Sequence, residues 1–276
     1  MTLRFVIPAL NEAGNVPRLL TRLEQAMTVT GMTGEVILVD DGSSDDTAAC
    51  AQAHGGRLGV RVIRHPVTRG PGAAFRTGFA AAAAVHRPGD LWCTMESDNT
   101  SDPGILGEMV RRVERDADLV LASVYGPGGA VVGTTPFRKA LSAAANALMR
   151  AVFRLTGVRT FTSFYRVYRG DLMVRALEAW GADLVREQGF ACMAELLVKL
   201  HRLGARIEEV PMVLDGQARA GASHMRVARN AAAHLRLIGR YFCSGGFRPP
   251  RTRGRPAVSA SAQSTSVPRN PDSRAT

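Results

Sequence analysis

Ile37-Leu38-Val39-Asp40-Asp41-Gly42-Ser43 is an apolar run that stops abruptly at two carboxylates and a Gly-Ser turn, and the acidic Asp45-Asp46-Thr47 follows where a helix can begin. An apolar body with a polar end marks a buried strand whose C-terminal end opens on a ligand crevice, as in open α/β sheets. Two further strands end in the same way. Val6-Ile7-Pro8 leads to Asn11-Glu12, and Leu91-Trp92-Cys93-Thr94-Met95 leads to Glu96-Ser97-Asp98. Three such ends imply one shared site.

Working outward, the first half alternates: strands at 3–7, 35–39, 60–64, 91–95 and 119–122 are separated by helices at 16–27, 45–54, 73–85 and 105–115. That rhythm predicts an α/β fold, a Rossmann-like, mostly parallel sheet with right-handed crossovers and helices on both faces. From Gly126 it changes to a Gly-rich connection, a helix at 136–155, a strand at 163–168, helices at 171–180 and 190–203, a strand at 206–213 and a last helix at 225–242. A chain of 276 residues then divides into one catalytic unit, 1–247, and a tail, 248–276, rich in Arg, Pro and Ser. The tail has too little apolar content to offset ordering entropy and is expected to be disordered.

The net charge of +11 invites a nucleic acid, a membrane surface or a phosphorylated ligand, but the tail arginines supply nearly half of that excess. No stripe of interleaved aromatic and basic residues argues for nucleic acid, and none is expected as a partner. Cys50, Cys93, Cys192 and Cys243 form no CxxC pair, which excludes a zinc framework and fits a reducing compartment. Neither a leader pattern nor an apolar run of about 18 residues is present, so a cytoplasmic protein is expected, able to lie on the inner face of the membrane.

Glu96 and Asp98, separated by one residue at a strand end, suit a shared divalent cation, Mg2+ or Mn2+, that would bridge a diphosphate. A solvated acidic turn is the alternative. The Asn11-Glu12 pair suits either a ligand or a helix cap before Val16. Gly70 and Gly72 permit close backbone approach, to a ligand or within a tight turn, and Arg76 can pair with phosphate oxygens. Arg138 and Ser142 lie one helical turn apart on one face of the 136–155 helix, which reads equally as a core helix or as one lying in a membrane interface.

Taken in order, Val6-Ile7-Pro8-Ala9-Leu10-Asn11-Glu12, Val39-Asp40-Asp41-Gly42-Ser43-Ser44-Asp45, Gly70-Pro71-Gly72-Ala73-Ala74-Phe75-Arg76-Thr77-Gly78, Met95-Glu96-Ser97-Asp98 and Pro136-Phe137-Arg138-Lys139 resemble the family 2 glycosyltransferases of GT-A fold, in particular their polyprenyl-phosphate branch, similar to dolichol-phosphate-mannose synthases. Glu208-Glu209-Val210-Pro211 and Arg219-Ala220-Gly221-Ala222-Ser223-His224 extend the resemblance to most of the chain. It implies an inverting transferase that moves a sugar from a nucleoside-diphosphate sugar to a polyprenyl phosphate with a divalent metal. It further implies that Pro8, Asn11, Glu12, Asp40 and Asp41 line the nucleoside pocket, and that Gly70, Gly72 and Arg76 close over the diphosphate. Glu96 and Asp98 would hold metal. Arg138, Ser142, Ser163, Arg219 and Ser223 would meet the acceptor phosphate, with Arg138 and Arg169 counted beside Glu96 and Asp98 as catalytic.

The chain also departs from that pattern. Glu96 replaces the usual Asp, Thr100 a frequent Gln, Val124 an Arg, Thr160 an Asp, Phe164 a Gly and His224 a Lys. Most of these changes fall on the acceptor side, which leaves transfer to a soluble small-molecule acceptor, or a degenerate relative, as alternatives. A hydroxyl acceptor needs a general base, and in the second half only Glu187 and Glu195 offer one.

Overall fold

A computed structural model describes residues 1–221 and 227–248, apart from the side chains of Arg138 and of residues 227–231. Its centre is a seven-stranded sheet, and the apolar runs read from the sequence are its middle strands. These are β1 (Thr2–Ala9), β2 (Thr33–Asp40), β3 (Gly59–Arg64), β4 (Leu91–Thr94), β5 (Leu119–Ser123), β7 (Arg166–Arg169) and β8 (Ile207–Pro211), in the order β3-β2-β1-β4-β7-β5-β8. All neighbours run parallel except at β7, which is antiparallel to both β4 and β5.

Alternate strand residues feed two cores because the pleat points them to opposite faces. Phe5, Ile7, Val36 and Leu38 pack with helices α1 (Val16–Met27) and α4 (Leu106–Arg115). Val6, Ile37 and Val39 pack with α3 (Pro71–Ala83), joined in the same core by residues of α6 (Gly170–Trp180) and α7 (Cys192–Arg202). The short α2 (Thr47–Gln52) follows β2, α5 (Pro136–Phe153) lies between β5 and β7 along the chain, and α8 (Val227–Cys243) packs beside α5. Ala9 of β1 and Asp40 of β2 end in register, so the loops after the parallel strands emerge on one edge.

Three expectations need correction. The strand read at 163–168 begins only at Arg166, because Phe164 spends its N–H on Glu96 and its carbonyl on Thr94 Oγ1. The Gly-rich connection contains β6 (Ala130–Val132), which pairs with β9 (Val213–Asp215) in a two-stranded sheet. The strand read at 206–213 is therefore two strands, divided where Met212 N–H turns to Ser123 O. Among the described residues, no helix is long and apolar enough to cross a membrane. The tail read from the sequence lies outside the described residues beyond Arg248.

Candidate active site

Four loops are tied together at the C-terminal edge of the parallel strands. Asn11 takes a left-handed backbone (φ 56°), donates its N–H to Ser43 Oγ at 2.9 Å and accepts Ser44 N–H on Oδ1 at 2.9 Å. Asn tolerates that conformation better than most residues, and here its side chain joins the β1 loop to the β2 loop rather than capping α1. Glu12 donates its N–H to Thr47 Oγ1 at 2.7 Å and accepts from Asn15 Nδ2 at 2.6 Å. Asn15, which the sequence reading missed, is the junction: it accepts from Ala220 N–H and, through its carbonyl, from Asn99 Nδ2, each at 2.9 Å.

Asp40 and Asp41 behave differently from each other and from expectation. Asp40 is fully buried, accepts Ser43 N–H at 2.9 Å and lies 3.2 Å from Arg64 Nε. Asp41 has both oxygens engaged: His65 Nδ1 at 2.6 Å, Arg69 N–H at 3.0 Å and Gly70 N–H at 2.7 Å. It holds the loop from His65 to Gly70 in place instead of presenting a free oxygen to a base. The other ring nitrogen of His65, Nε2, lies 2.9 Å from Thr77 Oγ1 and ties the same loop to α3. Between the ends of β2 and β3 an open cleft of about 360 Å³ is lined by Gly42, Ser43, Arg64, His65 and Pro66. Pro8 is half-buried in β1, opposite Val39.

Gly70 and Gly72 make their close approach to protein. A Cβ at Gly72 would stand 1.8 Å from Glu187 O, one at Gly70 2.6 Å from Gln188 O, and Gly72 N–H donates to Gln188 O at 2.9 Å. Arg76 donates to Val185 O at 2.6 Å. These residues seat the start of α3 on the segment 185–188, which is itself anchored by the fully buried Glu195 through Arg186 N–H at 2.8 Å and Glu187 N–H at 2.7 Å. Lys199 closes on Glu195 at 2.7 Å, and Glu187 pairs with Arg240 at 2.7 Å. Neither glutamate is a free base. Sequence motifs around Gly70 carried no sign of this distant partner.

The carboxylates after β4, Glu96 and Asp98, are each held by hydrogen bonds. Glu96 accepts from Ser101 Oγ at 2.9 Å and Phe164 N–H at 3.2 Å. Asp98 accepts Thr100 N–H at 3.0 Å and Thr100 Oγ1 at 2.7 Å on Oδ1, while Oδ2 pairs with Arg219. Burial, then the neighbouring Asp98 charge, pushes the Glu96 carboxyl above the usual range. Burial also raises Glu12, with Asp98 adding to it against the hydrogen bond from Asn15. Among the described residues no set of three or more His, Cys, Asp or Glu converges, and Glu96 with Asp98 is the carboxylate pair that follows β4. Two hard oxygen donors with ligand positions left for phosphate oxygens fit a divalent cation of the Mg2+ or Mn2+ kind.

On the acceptor side, Ser142 accepts from Tyr125 Oη at 2.6 Å, which ties α5 to the loop after β5. Ser163 adjoins Phe164, the residue bonded to Glu96, and directs its hydroxyl to Tyr165 O. Glu209 anchors the same region through Arg159 and Thr160 N–H, each at 2.7 Å. The Arg138 side chain and Ser223 lie outside the described residues. Arg169 is a correction: it pairs in register with Leu91, at the opposite edge of the sheet, and its guanidinium bonds Val113 O and Ala117 O at the end of α4. β7 runs antiparallel, which carries its last residue away from the site.

Residues 5–174 match the model of Glycosyl transferase family 2. The chain is 31% identical to an undecaprenyl-phosphate mannosyltransferase of Micrococcus luteus, over 75% of this chain and 81% of that protein. It is 29% identical to a polyprenol monophosphomannose synthase of Mycolicibacterium smegmatis, over 85% and 87% respectively. Among solved structures, glucosyl-3-phosphoglycerate synthase from Mycobacterium tuberculosis shares the fold, with a TM-score of 0.61 at 22% identity over 91% of this chain and 81% of that one.

Proposed function

The chain belongs to glycosyl transferase family 2 and is a glycosyltransferase, and from that premise we propose that it transfers a sugar, with inversion, from a nucleoside-diphosphate sugar to a polyprenyl phosphate. The observation that carries this reading is the Glu96 and Asp98 pair after β4, with Arg219, a phosphate-binding type of side chain, bonded to Asp98 and Glu12 close enough to feel both of those charges. The two bacterial relatives, matched over most of their length, are named for mannosyl transfer to polyprenyl phosphates, and the fold neighbour was crystallised with Mn2+ and uridine diphosphate.

Glu96 and Asp98 would hold Mg2+ or Mn2+, which when bound offsets charge on the departing diphosphate. The protein's own residues do the remainder. The 360 Å³ cleft beside Ser43, Arg64 and His65 takes the nucleoside, and Asp41 fixes the loop that borders it. An acceptor phosphate, with a second pKa of about 6, is largely dianionic at neutral pH and needs no general base. One of its oxygens attacks the anomeric carbon as the bond to the diphosphate breaks on the opposite face. Ser142 and Arg219, and Arg138 and Ser223 from the sequence pattern, orient that phosphate. The engaged state of Glu187 and Glu195 argues against a hydroxyl acceptor. A lipid acceptor implies peripheral contact with a membrane.

The test is incubation with Mg2+ or Mn2+, a panel of nucleotide sugars and a short polyprenyl phosphate, with mass detection of a glycosyl phosphoprenol. Asp98→Asn is expected to abolish turnover. Full activity in that variant removes the metal assignment, and product only on soluble hydroxyl acceptors removes the lipid one.

A further inference from the structure

Away from the carboxylates, the far end of α5 meets the ends of α7 and α8 around a cleft of about 490 Å³, lined by Ala151, Val152, Arg154, Arg202, Tyr241 and Phe242 among others. Phe153 packs edge-on against Tyr241, with ring centroids 4.8 Å apart, and holds the two long helices together there. Arg202 bonds the Tyr241 hydroxyl and lies 5.5 Å from that ring. Arg154 is exposed and stands in a left-handed conformation (φ 53°) at the end of α5, a position that ordinarily selects Gly or Asn. Neither arginine has a carboxylate partner among the described residues. Arg202 ends α7 and Arg154 follows α5, places where one cation is favourable, but that accounts for nothing apolar.

The rim of the cleft is apolar and exposed. On α5, Phe137 (75% exposed), Leu141 (38%) and Leu148 (47%) fall at helical spacing on one stripe, with Ala144 between them, and the stripe continues to Ala151 in the cleft. From Phe137 to Ala151 it runs about 21 Å. On α8, Leu235 (62% exposed) and Phe242 (65%) form a second stripe that ends in the same cleft. Two contacting helices thus present apolar stripes that end beside two arginines without a carboxylate partner among the described residues. Burial and the Arg202 charge hold His201 below the usual imidazole range, so at neutral pH the arginines are the charged groups of the cleft.

We propose that this face docks on a membrane leaflet, with the cleft between α5, α7 and α8 binding the phosphate of an anionic phospholipid headgroup. Apolar stripes beside a basic pocket suit lipid tails beside a phosphate. A second copy of the chain would set arginine against arginine. The C-terminal tail would do no better as an occupant, since residues 249–276 carry five Arg and one Asp, and that segment leaves the described structure from Phe247, which packs on Tyr241. The site is separate from transfer. It rests on the reading above only in that both bring the protein to a bilayer.

The experiment is flotation of the full chain, without donor or acceptor, with phosphatidylcholine vesicles containing about 30% phosphatidylglycerol, and with phosphatidylcholine alone. Wild type is expected on the anionic vesicles only. Arg154→Gln/Arg202→Gln should lower partitioning about 30-fold, the equivalent of about 1 kcal/mol for each cation near an anionic surface. Because Arg202 also holds Tyr241, Arg154→Gln alone, expected at about 5-fold with an unchanged melting temperature, keeps the test clean. Phe242→Ser should weaken binding as well. Wild-type partitioning of the double variant overturns the proposal. Complete loss on changing the five tail arginines to Gln with the cleft intact, or release by millimolar inorganic phosphate, overturns it too, in favour of the tail or of a free anion. Transfer to a short, water-soluble polyprenyl phosphate should be unaffected in Arg154→Gln. Absence of that transfer in wild type with vesicle binding intact removes the acceptor reading and leaves this surface standing.

Discussion

Gly72→Ala separates a glycine that makes room for a ligand from one that makes room for protein. The added Cβ would stand 1.8 Å from Glu187 O and 2.9 Å from its carbonyl carbon, well inside the 3.0 Å that Cβ atoms essentially never cross. Both partners are backbone, so α3 and the segment 185–188 must part by about 1.2 Å, and the Gly72 N–H bond to Gln188 O is lost. Overpacking of this kind costs about 1–3 kcal/mol and the hydrogen bond about 1 kcal/mol. Ala returns about 1 kcal/mol as the better helix former, for a net loss of roughly 1–3 kcal/mol. In a chain of this size that lowers the melting temperature by about 3–10 °C. Thermal melts and urea titration check stability, and donor KM is measured in parallel. A melting temperature within about 1 °C of wild type, with donor KM raised tenfold, would refute the packing argument. Gly78→Ala is the internal control: the one clash of its Cβ would be with the Val6 Cγ1 methyl at 2.2 Å, the next neighbour, Val39 Cγ2, standing at 3.4 Å, so Val6→Ala should rescue it by about 1 kcal/mol.

Three more outcomes follow from the same structure. The raised Glu96 and Glu12 values mean that protonation favours the metal-free fold: that contribution is complete below the unfolded value of 4.5 and is lost as pH rises through the raised folded values. Mn2+ should therefore raise the melting temperature more at pH 7.5 than at pH 5, and metal-free Glu96→Gln should be the more stable protein at pH 7.5; a less stable variant there contradicts the charge argument. Arg169→Gln should leave kcat/KM within about twofold while costing about 1–2 kcal/mol, since it removes donors to Val113 O and Ala117 O; a hundredfold loss of kcat at unchanged stability would return it to the site. Arg219→Gln frees Asp98 Oδ2, so electron-paramagnetic titration without nucleotide should find Mn2+ held about 5-fold more tightly, for a part-buried pair of about 1 kcal/mol, and unchanged affinity counts against competition at that oxygen.

The strands of the first half, their alternation with helices and the polar ends of β1, β2 and β4 were all legible in the residues, because pleat and helix periodicity are local properties of the backbone. So was the pairing of Glu96 with Asp98, two residues apart on one turn. What the sequence left open was which atoms those side chains meet. Asp41 reads as a ligand contact until His65 and the N–H groups of Arg69 and Gly70 are brought to it, and Arg169 reads as catalytic until an antiparallel β7 carries it to the far edge. Gly72 needs Glu187 and Gln188, more than a hundred positions away, before its lack of a side chain has a reason. The apolar stripes of α5 and α8 become one surface only when the two helices pack together. Local chemistry set the elements; partners distant along the chain, brought close by packing, decided what each polar group at the sheet edge is free to do.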